Sequence, residues 1–311
     1  MENPKTLTDA IRYYSDPANC VEVIREMRWG GQEPECPHCG ERRHYWLSKQ
    51  MRWKCAACRK QFTAKTGTVF EDSPIALDKW LIATWMVANC RNGVSSYELA
   101  RAIGVTQKSA WFMLHRIRYA MQDDGGGKLS GDVEVDETFI GGKARNMHAS
   151  KRRAAMAHRH NGKTVVMGMM ERGGSVRTAV IYDRQKPILH GQVEKHVESG
   201  SNVFTDELVS YWGLDEKYVH QVINHAMKYV EGNVHTNTLE NFWSLLKRGL
   251  SGTYVSVEPF HLFRYIDEQA FRFNNRRKND WGRFSELLKR ISNKRLTYAE
   301  VTGKGLETAS I

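Results

Sequence analysis

Residues 133–140 read Val-Glu-Val-Asp-Glu-Thr-Phe-Ile, and this run decides how the second half of the chain folds. Its β-branched residues alternate with polar ones, a pattern that predicts a β-strand with Asp136 inside it. Two other acids follow different signals: Asp206 ends a short apolar run, and Glu240 opens a segment with helical periodicity. Each acid alone is ordinarily a solvated group or a helix cap. Together, a strand, a strand end and a helix can bring three carboxylates to one site.

Further strands and a helix follow this run. The same patterns predict a helix near residues 188–198 and strands over Thr164 to Glu171, Val176 to Tyr182 and Asn202 to Thr205. Two glycines, at positions 173 and 174, turn the first two of these strands into a hairpin. Strands followed by a helix, a further strand and later helices are typical of a layered α/β domain.

Composition and charge point to a nucleic-acid partner. The chain of 311 residues carries 46 Lys and Arg against 35 Asp and Glu, which gives a formal net charge of +11. Such an excess of positive charge favours binding to a polyanion. No apolar run reaches the roughly 20 residues that cross a bilayer, and residues 1–10 lack the order of a signal peptide. The sequence therefore predicts a cytoplasmic protein with no membrane partner.

Four of the six cysteines form two Cys-x-x-Cys pairs, Cys36 with Cys39 and Cys55 with Cys58. Each pair presents two thiolates, and two pairs complete a closed tetrahedral zinc site of the structural kind. The alternative is a pair of disulfides, which a reducing compartment disfavours. Two short strands are predicted between the pairs, as in a zinc ribbon. Basic residues surround these strands and either contact phosphates or form a solvated face.

A second module is predicted between residues 77 and 121. Three helix-like runs, the last over 107–121, are separated by short turns, which is the order of a helix-turn-helix. Thr106 is the predicted N-cap of the last helix, an arrangement that presents Gln107 and Lys108 to a DNA groove. A plain three-helix bundle that serves as a spacer is the alternative.

Three successive glycines, Gly125 to Gly127, mark the clearest domain boundary because they offer no side chain to a core. Farther on, the segment from Lys143 to Lys163 contains seven basic residues and no acid. We expect a flexible basic loop that lies beside Asp136 and holds the DNA backbone, with Arg152 and Arg153 among its contacts. A disordered insertion is the alternative.

Phosphodiester chemistry is a reason to group the three acids. Two Mg²⁺ ions about 3.5–4 Å apart generate a nucleophilic oxygen and stabilise the departing one, and hard carboxylate ligands hold such ions. On the helix that begins near residue 237, Glu240, Ser244 and Lys247 share one face. Lys247 is therefore placed where a substrate phosphate would lie.

Several long phrases of the sequence match a known family. They are Cys-Pro-His-Cys-Gly, Gln-Phe-Thr-Ala-Lys-Thr-Gly-Thr-Val-Phe, Val-Asp-Glu-Thr-Phe-Ile-Gly-Gly-Lys and His-Thr-Asn-Thr-Leu-Glu-Asn-Phe-Trp-Ser-Leu-Leu-Lys-Arg, in family order between residues 20 and 278. On these phrases the chain resembles the insertion-sequence DDE transposases of the Merlin-related group. The resemblance implies a multidomain α/β protein with an N-terminal zinc ribbon, a helix-turn-helix and a ribonuclease-H-like catalytic domain.

The resemblance also implies the site residues. Asp136, Asp206 and Glu240 correspond to the catalytic triad that holds Mg²⁺ or Mn²⁺, Lys247 is the basic residue after the third acid, and the four cysteines hold structural Zn²⁺. Asn241 is an alternative third position because some relatives have asparagine there, although a spacing of seven to Lys247 favours Glu240. Three histidines are further candidates for contacts near the site or for structural roles: His220, His225 and His235.

The function implied by this resemblance is DNA transposition. The protein binds the terminal repeats of its element in double-stranded DNA, cleaves them and joins the ends to target DNA, and it acts at the bacterial nucleoid as a homodimer or larger assembly. A domesticated DNA-binding regulator and a nuclease without strand transfer are the alternatives. The expected domains are a zinc ribbon with its N-terminal helix over 1–66, a helix-turn-helix domain over 67–124, a catalytic domain over 125–280 and an appended segment over 281–311.

Overall fold

The computed structural model of the protein describes residues 3–122, 126–142, 147–157, 159–223 and 236–303. The chain folds as two compact units. The first joins Met1–Gln122 to Asn275–Ile311 and is called the ribbon unit below, while the second, the sheet unit, is continuous over Asp123–Asn274. Within the described ranges, no helix is long and apolar enough to cross a membrane.

The ribbon unit begins with two helices, α1 (Leu7–Tyr14) and α2 (Pro17–Trp29). Thr6 starts α1 through a capping box, in which its side chain and that of Asp9 each accept a backbone N–H of the other residue. At the end of α2, Gly30 takes a left-handed conformation with φ of 61°, and its backbone N–H donates to the carbonyl of Glu26 in the last turn. Local hydrogen bonds therefore set the limits of this helical pair.

Three short antiparallel strands form the zinc ribbon: β1 (His44–Leu47), β2 (Arg52–Cys55) and β3 (Gln61–Phe62). The sequence predicted the first two as a hairpin, and β3 is an addition that pairs with β2. The indole of Trp53 is buried, with its ring centroid 5.5 Å from that of Phe62 and 4.8 Å from that of Trp46. This aromatic cluster gives the ribbon a small core of its own.

The helix-turn-helix follows in the same unit, as α3 (Leu77–Asn89), α4 (Ser96–Ile103) and α5 (Gln107–Met121). Gly104 ends α4 with φ of 62°, a left-handed conformation that glycine adopts at no steric cost. Thr106 then caps α5 by accepting the backbone N–H of Ser109, as the sequence predicted. The predicted order of three helices separated by short turns is therefore observed, while the DNA-binding role of this module stays a prediction.

The sheet unit is built on five strands: β4 (Asp132–Ile140), β5 (Thr164–Glu171), β6 (Val176–Ile181), β7 (Asn202–Asp206) and β8 (Val219–Ile223). Their order across the sheet is β6-β5-β4-β7-β8. The three strands that are consecutive in the chain pair antiparallel, whereas β7 and β8 run parallel to β4. This is the ribonuclease-H-like sheet that the resemblance implied, with β8 as the strand that sequence patterns did not predict.

The described part of the sheet unit includes the helices α6 (Ala149–Ala157), α7 (Lys186–His196), α8 (Asn237–Gly249) and α9 (Leu262–Asn274). The expectation of a flexible loop between Lys143 and Lys163 was wrong where α6 forms. That helix is rich in alanine, the strongest helix former, but lacks the apolar stripe on which the prediction of helices relied. Residues 143–146 and 158 of the same segment lie outside the described residues.

The sheet is covered on both faces. One face packs Val133, Val135 and Met167 of the sheet with Leu189 and Val193 of α7. The opposite face packs Val166 and Met170 with side chains from α8 and α9, namely Leu239, Phe242, Trp243, Leu246, Leu262, Ile266 and Phe273. Because side chains alternate along a strand, successive residues of β4 point into these two cores in turn. An acid near the middle of β4 is therefore surrounded by apolar groups.

The chain ends in the ribbon unit with α10 (Asp280–Lys289) and α11 (Tyr298–Thr302). Phe284 of α10 is fully buried, and its ring lies 5.1 Å from that of Trp85 and 5.8 Å from that of Tyr14. The backbone N–H of Val69 donates to the carbonyl of Ile291 at 3.0 Å. The segment expected as an appendage thus supplies core side chains to the unit that carries the cysteines.

Candidate active site and zinc centre

The four cysteines of the ribbon form one compact cluster. Their Sγ atoms all lie within 4.8 Å of one another. The Sγ atoms of Cys36 and Cys58 are 3.7 Å apart, and those of Cys39 and Cys55 are 3.6 Å apart. Four thiolates bound tetrahedrally at about 2.3 Å from zinc would be separated by about 3.8 Å. The cluster fits structural zinc, and its sulfurs are too far apart for the disulfide alternative.

Two of the predicted catalytic acids lie on adjacent parallel strands. The register of β4 and β7 pairs Glu134 with Phe204. Asp136 and Asp206 each lie two residues farther along their strands, and they are close enough for the charge of Asp206 to raise the pKa of Asp136. Asp206 is the last residue of β7, and its Oδ1 accepts the backbone N–H of Leu208 at 3.1 Å. Ligands of open α/β sheets bind outside the carboxyl ends of the strands, which is where Asp206 lies.

The third acid is carried by α8. Glu240, Ser244 and Lys247 are exposed along one side of this helix, as the predicted helical phase requires. The indole Nε1 of Trp243, one turn after Glu240, donates to Oδ2 of Asp136 at 3.0 Å. This hydrogen bond ties the helix that carries the third acid to the strand that carries the first.

The three acids interact electrostatically. The pKa of Asp136 is raised to about 6, mainly by burial; the hydrogen bond from Trp243 opposes this rise, and the negative charges of Asp206 and Glu240 add to it. Neighbouring carboxylates repel one another when ionised, and a bound cation offsets this repulsion. The arrangement therefore disfavours the metal-free ionised state and favours binding of divalent metal.

The acids do not meet at a single point. Among the described residues, the cysteine cluster is the only set of three or more His, Cys, Asp and Glu side chains whose ligand atoms converge enough for one ion. A pair of ions about 3.5–4 Å apart distributes its ligands between two centres, so three carboxylates can serve it without converging. Their hard oxygen donors suit Mg²⁺ or Mn²⁺.

Glu137 adds a fourth carboxyl group beside the site. It was expected to point away from Asp136, and it does face the opposite side of β4, where the hydroxyl of Tyr211 donates to its Oε1. Burial raises the pKa of Glu137 to about 8, with further contributions from Asp206 and Asp136, while Arg184 lowers it. Glu137 is therefore largely protonated at neutral pH and contributes a neutral carboxyl group beside the acids.

Sequence reasoning missed Glu134, which anchors α8. Its carboxylate is fully buried on the same strand face as Asp136. One oxygen accepts the backbone N–H of Leu239 in the first turn of α8 at 3.0 Å, and the other accepts Nε of Arg172 at 3.1 Å. The signal was present in the sequence, because an acid on a buried strand requires partners. Nothing in the sequence identified those partners.

The histidine candidates have different outcomes. Nε2 of His220 lies 2.8 Å from Oγ1 of Thr205, and that hydroxyl also donates to the carbonyl of Asp206. Since a hydroxyl has one proton, the ring nitrogen is the donor to Thr205. This pairing joins β7 to β8 and gives His220 a structural role. His225 and His235 lie outside the described residues.

The predicted DNA contacts belong to different units. In the ribbon unit, Nε2 of Gln107 donates to Oγ of Ser96 at 2.8 Å, and Nζ of Lys108 lies 5.0 Å from the ring centroid of Tyr298. In the sheet unit, Arg152 and Arg153 are exposed on α6. Gln107 is thus engaged within its own fold, whereas the two arginines present their charges to solvent.

Comparison with known proteins matches two segments of the chain to transposase families. Residues 128–274 match the family described as ISXO2-like transposase domain, and residues 15–61 match the family described as transposase zinc-ribbon domain. A curated relative from Halobacterium salinarum is 28% identical over 258 residues, which cover 78% of this chain and 85% of the relative. Its printed name is uncharacterized protein in transposable element ISH50.

Proposed function

Because the chain belongs to the insertion-sequence transposases, a group of DNA-processing enzymes, we propose that it cleaves the ends of its element and joins them to target DNA. Asp136, Asp206 and Glu240 would hold two Mg²⁺ or Mn²⁺ ions, and Lys247 would contact a phosphate of the bound strand. The observation that carries the proposal is the placement of Asp136 and Asp206 on adjacent parallel strands, within range of each other's charge, with the helix of Glu240 hydrogen-bonded to Asp136.

The electrostatics of the site support this assignment. Bound metals would activate the attacking oxygen and stabilise the leaving oxygen during in-line displacement. The residues of the chain hold and orient these groups, since Trp243 fixes the Asp136 carboxylate and the hydrogen bond from Leu208 fixes that of Asp206. A rigid and partly desolvated set of carboxylates is suited to such chemistry.

Substrate binding is divided between the two units in this proposal. Gln107 and Lys108 of the helix-turn-helix would select the terminal repeats through base contacts. Arg152 and Arg153 of α6 would hold the phosphate backbone without regard to sequence. Two element ends must be brought together for joining, so we propose that the active form on bacterial DNA is a homodimer or larger assembly.

A strand-transfer assay tests the proposal directly. The purified protein is incubated with labelled element ends, target plasmid and Mg²⁺, and the DNA products are separated on a denaturing gel. Joined products are the expected result. Hydrolysed ends without joining would instead indicate a nuclease, and binding without either reaction would indicate a DNA-binding regulator.

The same assay with Asp136→Asn assigns the chemistry to this site. The amide keeps the shape of the side chain but removes the charge that holds the metal. We expect no joined product from this variant, together with element-end binding within a few-fold of wild type. Cleavage at the wild-type rate would place the active site elsewhere.

A further inference from the structure

The indole of Trp243 occupies a defined position between the strand and the helix of the site. It is 4% exposed, and its single polar atom donates to Oδ2 of Asp136 at 3.0 Å. A buried indole N–H usually finds a partner, but the partner here is one of the three acids. A carboxylate has about four lone-pair sites, so the hydrogen bonds from Trp243 and from the backbone of Glu137 leave Asp136 able to bind other ligands.

Space for this indole depends on a glycine in the next strand. Gly168 of β5 pairs directly with Asp136 of β4. A Cβ atom at position 168 would lie 2.6 Å from Cζ2 and 2.8 Å from Cη2 of Trp243, and 2.9 Å from Cδ1 of Leu239. Real Cβ atoms do not make such short contacts, so a side chain here would push the indole away from the sheet. The missing side chain lets the ring lie against the strand within reach of Asp136.

A second contact holds the same helix at its start. Glu134 lies two residues before Asp136 and accepts the backbone N–H of Leu239 at 3.0 Å. A carboxylate at a helix N-terminus satisfies a free N–H and interacts favourably with the helix dipole. The helix is thus attached to β4 at its first turn by Glu134 and one turn later by Trp243. Both attachments lie beside Glu240.

We propose that Trp243 is a positioning residue for the metal site, with Gly168 as the space that makes its position possible. The N–H of Trp243 holds the Asp136 carboxylate in the orientation that metal binding requires, and the same bond fixes Glu240 relative to Asp136. Partners that orient metal ligands are typically worth 10- to 100-fold in affinity or activity. The inference rests on the proposed function, since it takes Asp136 to be a metal ligand.

Trp243→Phe separates the hydrogen bond from the packing. The benzyl ring fills most of the volume of the indole but has no donor. Mn²⁺ binding is measured on the DNA-free protein by the electron paramagnetic resonance signal of free Mn²⁺, thermal unfolding is followed in parallel, and cleavage is titrated with Mg²⁺. Trp212→Phe is the matched control, because Trp212 is 63% exposed.

The expected result for Trp243→Phe is Mn²⁺ affinity weaker by about 10- to 100-fold and cleavage that saturates at correspondingly higher Mg²⁺. Trp212→Phe should leave both measurements unchanged. If Trp243→Phe lowers the melting temperature but binds Mn²⁺ as tightly as wild type, the indole only fills space and the proposal is overturned.

Gly168→Ala provides an independent test that retains the indole. The new Cβ should displace Trp243 and weaken Mn²⁺ binding to a similar extent, and it keeps the proposal testable if Trp243→Phe does not fold. In the double variant, the ring atoms that would meet this Cβ are absent, and the remaining close atom is Cδ1 at the far end of the Leu239 side chain. Gly168→Ala should therefore add little to Trp243→Phe. Full additivity of the two effects would contradict the proposed role of Gly168.

Asp136→Asn distinguishes failure of this inference from failure of the proposed function. If Asp136→Asn binds Mn²⁺ and cleaves DNA like wild type, the site assignment itself is wrong. If Asp136→Asn loses both properties while Trp243→Phe keeps both, the site stands and only the positioning role of Trp243 is refuted.

Discussion

The two candidate metal centres of this protein are assembled in different ways. The ligands of the zinc centre lie between Cys36 and Cys58 of the ribbon, and their sulfurs converge to within 4.8 Å. The three acids extend from Asp136 to Glu240, on two strands and a helix, and do not converge on one point among the described residues. The sequence spacing of the cysteines is enough to specify a site within one short segment. A site between distant elements depends on how the whole unit folds.

The centres also differ in what surrounds them. The ribbon has only a few buried aromatic side chains, such as Trp53 and Phe62, so its metal must contribute a large share of its stability. The first acid, Asp136, lies on a strand of a sheet that is packed on both faces by apolar cores. Substitution of a cysteine should therefore unfold the ribbon. Substitution of an acid should remove activity and leave the fold intact.

The largest effect is expected from the cysteines. Cys36→Ser or Cys58→Ser should abolish zinc binding and unfold the ribbon, because zinc contributes about 10–16 kcal/mol to comparable small domains. Metal analysis of the purified protein, together with tryptophan fluorescence, measures both consequences. Cys90→Ser is the matched control, since Cys90 lies outside the cluster.

Wild-type protein that contains no zinc and has four reactive thiols would refute the zinc assignment. A folded ribbon in Cys36→Ser would show that the aromatic cluster suffices without metal and would remove the difference between the two centres.

Loss of an acid should have the next largest effect, and on catalysis alone. Asp206→Asn should slow cleavage by at least about a thousandfold, because positioned metals supply several kcal/mol of transition-state stabilisation. Circular dichroism should show an unchanged fold. Glu207→Gln, a substitution of the exposed neighbouring acid, is the control and should cleave normally.

The third acid has its own discriminating pair of variants. Glu240→Gln should abolish cleavage, whereas Asn241→Asp should retain it. Glu240 lies one turn before Trp243 and on the same helix face as Lys247, and Asn241 does not lie on that face. Cleavage rates on element ends provide the measurement. Substantial cleavage by Glu240→Gln with loss in Asn241→Asp would move the third ligand to position 241.

The difference between the centres also explains how much the sequence could predict. The spacing of the cysteines specified the zinc site, and cap residues such as Thr106 specified helix limits, because both signals are local. Residue patterns singled out the three acids, and the resemblance implied their catalytic role and the ribonuclease-H-like class of the domain. The contacts of Glu134 and Trp243, and the return of Phe284 to the ribbon unit, depend on packing between distant segments and could not be predicted from local patterns.

A pH effect of intermediate size is expected from Glu137. Burial and the nearby charges of Asp206 and Asp136 raise the pKa of Glu137 from 4.5 to about 8. Its folded state therefore binds a proton more tightly than its unfolded state, and stability is lost as pH rises from about 4.5 through about 8. The free energy of unfolding should fall by up to about 1.4 kcal/mol per pH unit from this group in protein without Mg²⁺.

Glu137→Gln removes that dependence and should make the protein more stable than wild type at pH 8. Urea unfolding at pH 5, 6.5 and 8, with zinc retained and Mg²⁺ omitted, measures the change. Added Mg²⁺ should restore wild-type stability at pH 8, because metal binds the folded state. If the free energy of unfolding depends on pH in the same way in the variant and in wild type, the pKa of Glu137 is not raised in the folded protein.

The smallest effects are expected from residues that contact DNA, where the two units are again compared. Gln107→Ala and Lys108→Ala should reduce the preference for terminal repeats over random DNA by about 1 kcal/mol or less. The effect is expected to be modest because Gln107 already donates to Ser96 and Lys108 lies over the ring of Tyr298. Competition binding to the two kinds of DNA at two salt concentrations provides the measurement.

Arg152→Ala combined with Arg153→Ala should instead weaken binding to every sequence and reduce the slope of log affinity against log salt by about 1.8, since each lost phosphate contact removes about 0.9. The comparison requires the full chain, because a fragment ending at Gln122 would lack Phe284, which packs on Tyr14 and Trp85. If the arginine variant changes sequence preference, or the Gln107 and Lys108 variants change only the salt slope, recognition and backbone binding are not divided between the units as proposed. In that case the zinc-bearing and acid-bearing units would differ in chemistry but not in how they read DNA.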